Sequence, residues 1–274
     1  MMHERKIISH YGENDLVERI GAALRSGGLE DGPLSSEALA PLDQFHTRGL
    51  AATAELAKAA GIAAGMRVLD IGSGLGGPSR YLAATYGCQV HGIDLSPAFV
   101  AAAQYLAERS RVASKVSYEC ANALDLPCDD ESFDVAWTQH VAMNIADRDR
   151  LYAEVHRVLR KGGRLAIYDV AVGNGEPLHF PVPWSREPAT SFLLTPDAMR
   201  AALEMAGFDI VDWTDGTAAA RDWFAERRKA APPPQPLGLH VAMGPDMGVM
   251  AGNLGRNVIE GRVAIVQAIA ERRR

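Results

Sequence analysis

Between residues 13 and 26 the apolar positions Leu16, Val17, Ile20, Ala23 and Leu24 recur at helical spacing, and Gly27-Gly28 stops the pattern. A short stretch containing Pro and Gly leads to a second predicted helix near 47–60, with Gly61 and Gly65 at its end. The pattern then changes to short apolar runs that alternate with helical segments. Strands are predicted at 66–71, 88–93, 115–119, 133–138 and 164–170, and helices at 78–86, 97–110 and 147–159. Pro97 suits a first helical turn, Ser96 before it suits a cap, and Gly162-Gly163 are read as the stop of the last helix. Strands alternating with helices imply a largely parallel sheet with helices on both faces.

Beyond 170 the pattern loosens. Four prolines and two glycines make 171–194 a loop. A helix starts at Thr195-Pro196-Asp197 and ends near Gly207, a strand follows at 208–213, and a helix at 217–229 meets the Pro-rich 232–236 linker. Another helix is expected at 246–260. In 262–270, Val263, Ile265, Val266 and Ile269 suit either a buried strand or a helix; we read a strand. No internal repeat is visible.

The 274 residues suffice for one α/β domain, alone or with a sizeable cap. Apolar residues at 47% and charged residues at 23% fit an ordinary globular chain. The net charge of −6 argues against a nucleic-acid partner, which needs basic surface, and the one basic run is Arg272 to Arg274. Cys88, Cys120 and Cys128 have neither the number nor the spacing for a disulfide framework or a zinc site, and the scattered His3, His10, His91 and His156 support no metal site. The first fifteen residues carry charges and no apolar core, and no uncharged apolar stretch reaches the roughly 20 residues of a membrane span. These features predict a protein of the reducing cytoplasm with no membrane partner.

Gly72, Gly74 and Gly77 follow a predicted strand and open a predicted helix, with Asp94 about 20 residues on. A dinucleotide site shows the same glycines, because any ligand approaching the backbone closely needs them. Asp70 separates the two cases. A carboxylate there would repel a diphosphate by about 4 kcal/mol per charge pair at 4 Å and intermediate dielectric, whereas a sulfonium and an ammonium favour it. A purely local role, with Asp70 bonding loop amides, also fits.

The run Val68-Leu69-Asp70-Ile71-Gly72-Ser73-Gly74-Leu75-Gly76-Gly77 resembles the first motif of class I S-adenosylmethionine-dependent methyltransferases. Its continuation Pro78-Ser79-Arg80-Tyr81-Leu82 resembles the small-molecule branch that includes glycine/sarcosine, phosphoethanolamine and tocopherol methyltransferases. Gly92-Ile93-Asp94-Leu95-Ser96, Asn122-Ala123-Leu124-Asp125-Leu126-Pro127, Ser132-Phe133-Asp134-Val135-Ala136-Trp137 and Val158-Leu159-Arg160-Lys161-Gly162-Gly163 match the later motifs. The likeness covers about 45–170. It implies an α/β Rossmann-like methyltransferase sheet of mostly parallel strands with an antiparallel last strand and helices on both faces. Residues 1–60 would form an N-terminal helical lid, 61–170 the S-adenosylmethionine-binding core, and 171–274 a substrate cap that completes the sheet.

The resemblance also assigns roles. Gly72, Ser73 and Gly74 would line the methionine part of the cofactor, Asp94 would accept from both ribose hydroxyls, and Leu95 would pack on the adenine. Asn122 stands where the family usually has Asp, and still accepts through its amide oxygen; Ala123 would offer its backbone amide. Gln139 would lie near the cofactor, with His140 and Asn144 near the transferred methyl. His140 is read either as a base for the nucleophile or as a structural hydrogen-bonder. Asn144 could equally be a loop cap. In Asp43-Gln44-Phe45-His46-Thr47-Arg48-Gly49, His46 or Arg48 could meet the substrate or the cofactor carboxylate, and Thr47 could cap a helix. Tyr11 could reach the site from the lid or simply pack. Trp184, with His179, Phe180 and Phe192, would overhang the pocket or anchor its loop, and His240 with Met243, Met247 and Met250 could complete the wall.

The implied reaction is direct transfer of a methyl group to a small-molecule acceptor, leaving S-adenosylhomocysteine, with no metal. The nucleophile leans to nitrogen, with an O- or C-methylated aromatic, heterocyclic or prenylated acceptor as the alternative. A nicotinamide-dependent oxidoreductase, a non-catalytic cofactor-binding protein and a nucleic-acid methyltransferase are the rivals. The sequence leaves the acceptor, the atom, the number of methyls and the choice of monomer or homodimer open.

Overall fold

The structure is a computed structural model that describes residues 15–230 and 235–273. His3, His10, Tyr11, the start of the first expected helix, three linker prolines (Pro232, Pro233 and Pro234) and Arg274 lie outside the described residues. Three helices come first: α1 (Leu16–Ser26), α2 (Ser36–Asp43) and α3 (Leu50–Ala60). Leu16, Ile20 and Leu24 of α1 are buried on one stripe, each contributing about 1.5–3 kcal/mol of transfer free energy. The sequence reads the stretch before residue 47 as a connection, yet it holds α2. Pro41 breaks its periodicity, and Ser35 caps it by accepting the Ala38 N–H at 3.2 Å.

In chain order follow β1 (Arg67–Ile71), α4 (Gly77–Tyr86), β2 (Gln89–Asp94), α5 (Pro97–Arg109), β3 (Val116–Cys120), β4 (Phe133–Gln139), α6 (Arg148–Val158), β5 (Leu159–Val172), α7 (Pro196–Met205), β6 (Phe208–Asp215), α8 (Thr217–Ala230), α9 (His240–Met243), α10 (Met247–Ile259) and β7 (Val263–Arg272). One seven-stranded sheet has the order β3-β2-β1-β4-β5-β7-β6. Strands β1 to β5 run parallel, and β7 lies antiparallel between β5 and β6. The ambiguous final stretch is thus a strand buried on both faces, which is why its apolar residues do not alternate.

Gly162-Gly163 do not stop a helix. Helix α6 ends at Val158, Leu159 already pairs with Phe133, and the chain bulges before Arg164 rejoins the ladder opposite Val135. Gly162, at φ +72°, makes that bulge possible.

Strand residues alternate between two cores. Val68, Val90, Val135 and Trp137 pack with Leu56, Leu82 and Val100 on one face. Leu69, Ile71 and Ala136 pack with Leu151, Val155 and Leu203 on the other. A third cluster joins α1 to α9 and α10: Leu16, Ile20 and Leu24 share it with Met243, Met247 and Met250. Among the described residues no helix is long and apolar enough to cross a membrane.

Candidate active site

Parallel strands bring their carboxyl ends to one edge of the sheet, where a cavity of about 270 Å³ opens. Strand order sets the order of groups along its wall. Asn122 follows β3, Asp94 ends β2, Gly72 and Gly74 follow β1, and Gln139 and His140 end β4. Leu95, Ala123, Asn144 and Trp184 also line it.

The glycine turn is held from both sides. Gly72 has φ +70°, and a Cβ there would meet Val141 at 2.6 Å. The Gly74 N–H donates to Asp94 Oδ2 at 2.9 Å, and the Ser96 N–H donates to Asp94 Oδ1 at 2.8 Å. Each carboxylate oxygen therefore keeps lone-pair capacity for a ligand. Burial pushes the Asp94 carboxyl above its ordinary range, against the backbone donors that lower it. Ser96, with Asp94 before it, caps α5 by accepting the Phe99 N–H at 3.3 Å.

Asp70 does not reach the cavity wall. It is 2% exposed, and the Ser79 hydroxyl donates to its Oδ2 at 2.5 Å. Burial, with the neighbouring Asp94 charge, pushes this carboxyl up to about 7. Its carboxyl ties the turn to α4, so any effect on a ligand is exerted from behind the wall and not by contact. Beside it, Arg80 donates to Asp43 at 2.6 Å in a buried ion pair that fastens α2 to α4.

At β4 a polar network stands behind the wall. Gln139 Oε1 accepts from Trp137 Nε1 at 3.0 Å and from Thr53 Oγ1 at 3.2 Å. The indole can only donate, so it fixes which way the amide points. Gln139 Nε2 is buried with no partner among the described residues. His140 lies at φ +54°, a conformation that costs a non-glycine residue about 1 kcal/mol or more. Its N–H donates to the Tyr168 carbonyl at 2.8 Å, and its Nε2 faces Thr47 Oγ1 at 3.5 Å. Burial, and then the neighbouring His46, hold its imidazole well below the ordinary value, so it is neutral near pH 7. The loop after it is anchored by Asp169, which accepts the Ala142 N–H at 3.0 Å.

Several expected contacts sit elsewhere. Ser73 turns its side chain toward Gly92 beneath the turn, and its hydroxyl is buried without a partner among the described residues. His46 is off the wall. Its Nδ1 lies 3.3 Å from the Thr47 carbonyl, and its Nε2 lies 3.0 Å from Gln44 Oε1 and 3.1 Å from Thr53 Oγ1, all behind the wall. Arg48 forms a two-pronged ion pair with Glu55 at 2.6 and 2.7 Å. Thr47 does not cap α3, which begins behind Gly49; its hydroxyl meets Tyr168 Oη at 3.0 Å. His240 is exposed at the start of α9, and Met243, Met247 and Met250 belong to the third apolar cluster. His179 pairs with Glu260 at 2.8 Å. Trp184 both lines the cavity and anchors its loop, donating from Nε1 to Ser191 Oγ at 2.9 Å. Asn122 spends one lone pair of its Oδ1 on the Leu124 N–H at 2.9 Å.

The sequence reading passes over Phe45, Phe99, Met143, Ile145, Asp147 and Pro183, which also form the wall. Most flank residues it singles out, so proximity in sequence was the available signal. Tyr168 gives none, because it reads as one more apolar position of β5. Among the described residues no group of three or more His, Cys, Asp or Glu could hold a metal ion.

Residues 69–167 match the family model described as a methyltransferase domain. The chain is 31% identical over 205 residues to O-methyltransferase resE of Aspergillus sclerotiorum, covering 73% of this chain and 74% of that protein. It is 36% identical over 131 residues to methyltransferase GfsG of Streptomyces halstedii, covering 48% of this chain but only 47% of the relative. Among solved structures, the [4+2]-cyclase SpnF superposes with a TM-score of 0.70 at 24% identity, over 99% of this chain and 97% of that one. A cyclase on the same fold means that the fold alone does not decide the reaction.

Proposed function

This chain belongs to the methyltransferase-domain family, and from that premise we propose that it transfers the methyl group of S-adenosylmethionine to a small-molecule acceptor. The observation that carries the reading is Asp94, which closes the glycine turn through Gly74 while both of its oxygens keep acceptor capacity at the cavity wall. A carboxylate so placed suits the two hydroxyls of a ribose. Gln139 Nε2, from a residue of the same cavity wall as Gly74, supplies a donor with no partner among the described residues. These residues fit the cofactor.

Gly72 and Gly74 would hold its amino-acid part, Asp94 its ribose, and Leu95 with Ala123 and Asn122 its adenine. Bound there, the cofactor supplies an electrophilic methyl group. The chain supplies alignment and exclusion of water, which together account for much of the rate of such a displacement. His140 and Asn144 face the acceptor, and the neutral imidazole can receive a proton from it.

Titration calorimetry of the purified chain with S-adenosylhomocysteine and, separately, NADH tests this. Micromolar binding of the first alone is the expected result, and binding of the nicotinamide instead overturns it. Asp94→Asn exchanges a carboxylate for an amide and should weaken S-adenosylhomocysteine binding by roughly tenfold or more, the scale of a lost charge-assisted hydrogen bond.

A further inference from the structure

Resting on that reading, we propose that the methyl acceptor is an uncharged, ring-bearing molecule methylated on a phenolic hydroxyl, with its ring against Met143, Ile145 and Trp184 and its oxygen toward His140 and Asn144. The wall itself argues for this class. Phe45, Phe99, Pro183 and the three residues just named present carbon to the cavity. Trp184 has already spent its one polar group on Ser191, so its ring serves as an apolar platform.

Charge on the wall comes from the carboxylates Asp94 and Asp147. With Asp94 assigned to the ribose, Asp147 is the charge left to the acceptor, and a carboxylate or phosphate placed beside it would meet its own sign. Among the described residues no Arg or Lys lines the wall: Arg48 pairs with Glu55, Arg80 pairs with Asp43, and Arg148 is turned toward the Ile145 and Phe192 carbonyls. An aliphatic amine meets the opposite difficulty. The same carboxylate favours its ammonium form, which has no lone pair to receive a methyl group. This departs from the leaning toward nitrogen drawn from resemblance.

A hydroxyl avoids both difficulties. In the proposed step the phenol oxygen forms a bond to the transferred carbon, and the carbon–sulfur bond breaks with its electron pair left on sulfur. The phenol proton passes to a ring nitrogen of His140 and then to bulk water once the products have gone. A phenol, near pKa 10, gives up that proton far more readily than an aliphatic alcohol, which matters when burial makes the accepting imidazole a weak base.

The test uses matched probes on the full chain saturated with S-adenosylhomocysteine. 2-Naphthol and 2-naphthoate are titrated while heat is followed. The expected result is binding of 2-naphthol, with 2-naphthoate weaker by roughly tenfold or more. Asp147→Asn, which preserves a capping side chain for α6, should narrow that gap severalfold. With S-adenosylmethionine present, mass spectrometry should find the methyl ether of 2-naphthol and no methylated (2-naphthylmethyl)amine. Naphthoate binding as tightly as naphthol, neither probe binding, an unchanged gap in Asp147→Asn, or methylation of the amine in place of the phenol would each overturn the acceptor class. Saturation with S-adenosylhomocysteine is read first in the same cell. Its failure sinks the methyltransferase reading itself, whereas its success with the wrong probe sinks only the acceptor class.

Discussion

The imidazole of His140 lies flat against the phenol ring of Tyr168, with the planes 4° apart and the centroids 5.6 Å apart. The backbone repeats the tie, because the His140 N–H donates to the Tyr168 carbonyl. A strained φ at His140 is thus held by a neighbour that is 1% exposed and fixed in the sheet.

Tyr168→Phe should separate the stack from the hydroxyl. It keeps the ring and removes the hydroxyl that meets Thr47 and neighbours Arg48, so unfolding in urea should show a loss of about 1 kcal/mol. S-adenosylhomocysteine affinity should stay at the wild-type value while kcat falls a few fold. Tyr168→Ala removes the ring and leaves a hole, with an expected loss of about 3–5 kcal/mol.

His46 gives a pH signature. Burial lowers its imidazole from 6.5 to about 4, offset in part by its bond to the Thr47 carbonyl. As pH falls through 6.5 the unfolded chain takes up this proton and the folded chain does not. The unfolded state then binds more protons, so stability falls with pH from 6.5 down to about 4. Asp43, Asp70 and Asp169 act in the opposite sense over part of the same range, since burial raises their carboxyls to about 6, 7 and 6. A difference experiment isolates the histidine. Relative to His46→Gln, the wild type should lose up to about 3 kcal/mol between pH 7 and pH 4 in urea titrations.

Gly72→Ala should abolish micromolar S-adenosylhomocysteine binding in calorimetry. The new Cβ would meet Val141 at 2.6 Å, and the residue would still need φ +70°. Adding Val141→Ala removes the clash but not the backbone strain, so the double variant should recover part of the affinity. Full recovery would show that sterics alone set the need for glycine there.

The alternating core was legible because each of its strands and helices carries a local signal that agrees with its place in the sheet. The Gly72–Gly74 turn and Asp94 were legible for the same reason, since one local backbone geometry demands both. Asp70 and His46 misled because residue type says nothing of direction. Both are ionisable groups beside the site, and both are spent on partners behind the wall. The short helix over 36–43 escaped because Pro41 interrupts its period. Tyr168 and Thr53 escaped because their roles come from contacts across 121 and 86 positions of chain, to Thr47 and Gln139 respectively.

The third apolar cluster carries a consequence for synthesis. Leu16, Ile20 and Leu24 are made early, yet part of what buries them is Met243, Met247 and Met250, over 200 residues later. While the chain is still on the ribosome, the sheet from β1 to β5 can assemble with its own helices, but the N-terminal layer keeps part of an apolar stripe uncovered until α9 and α10 emerge. That interval is when a nascent chain of this kind is most open to chaperone capture and to aggregation.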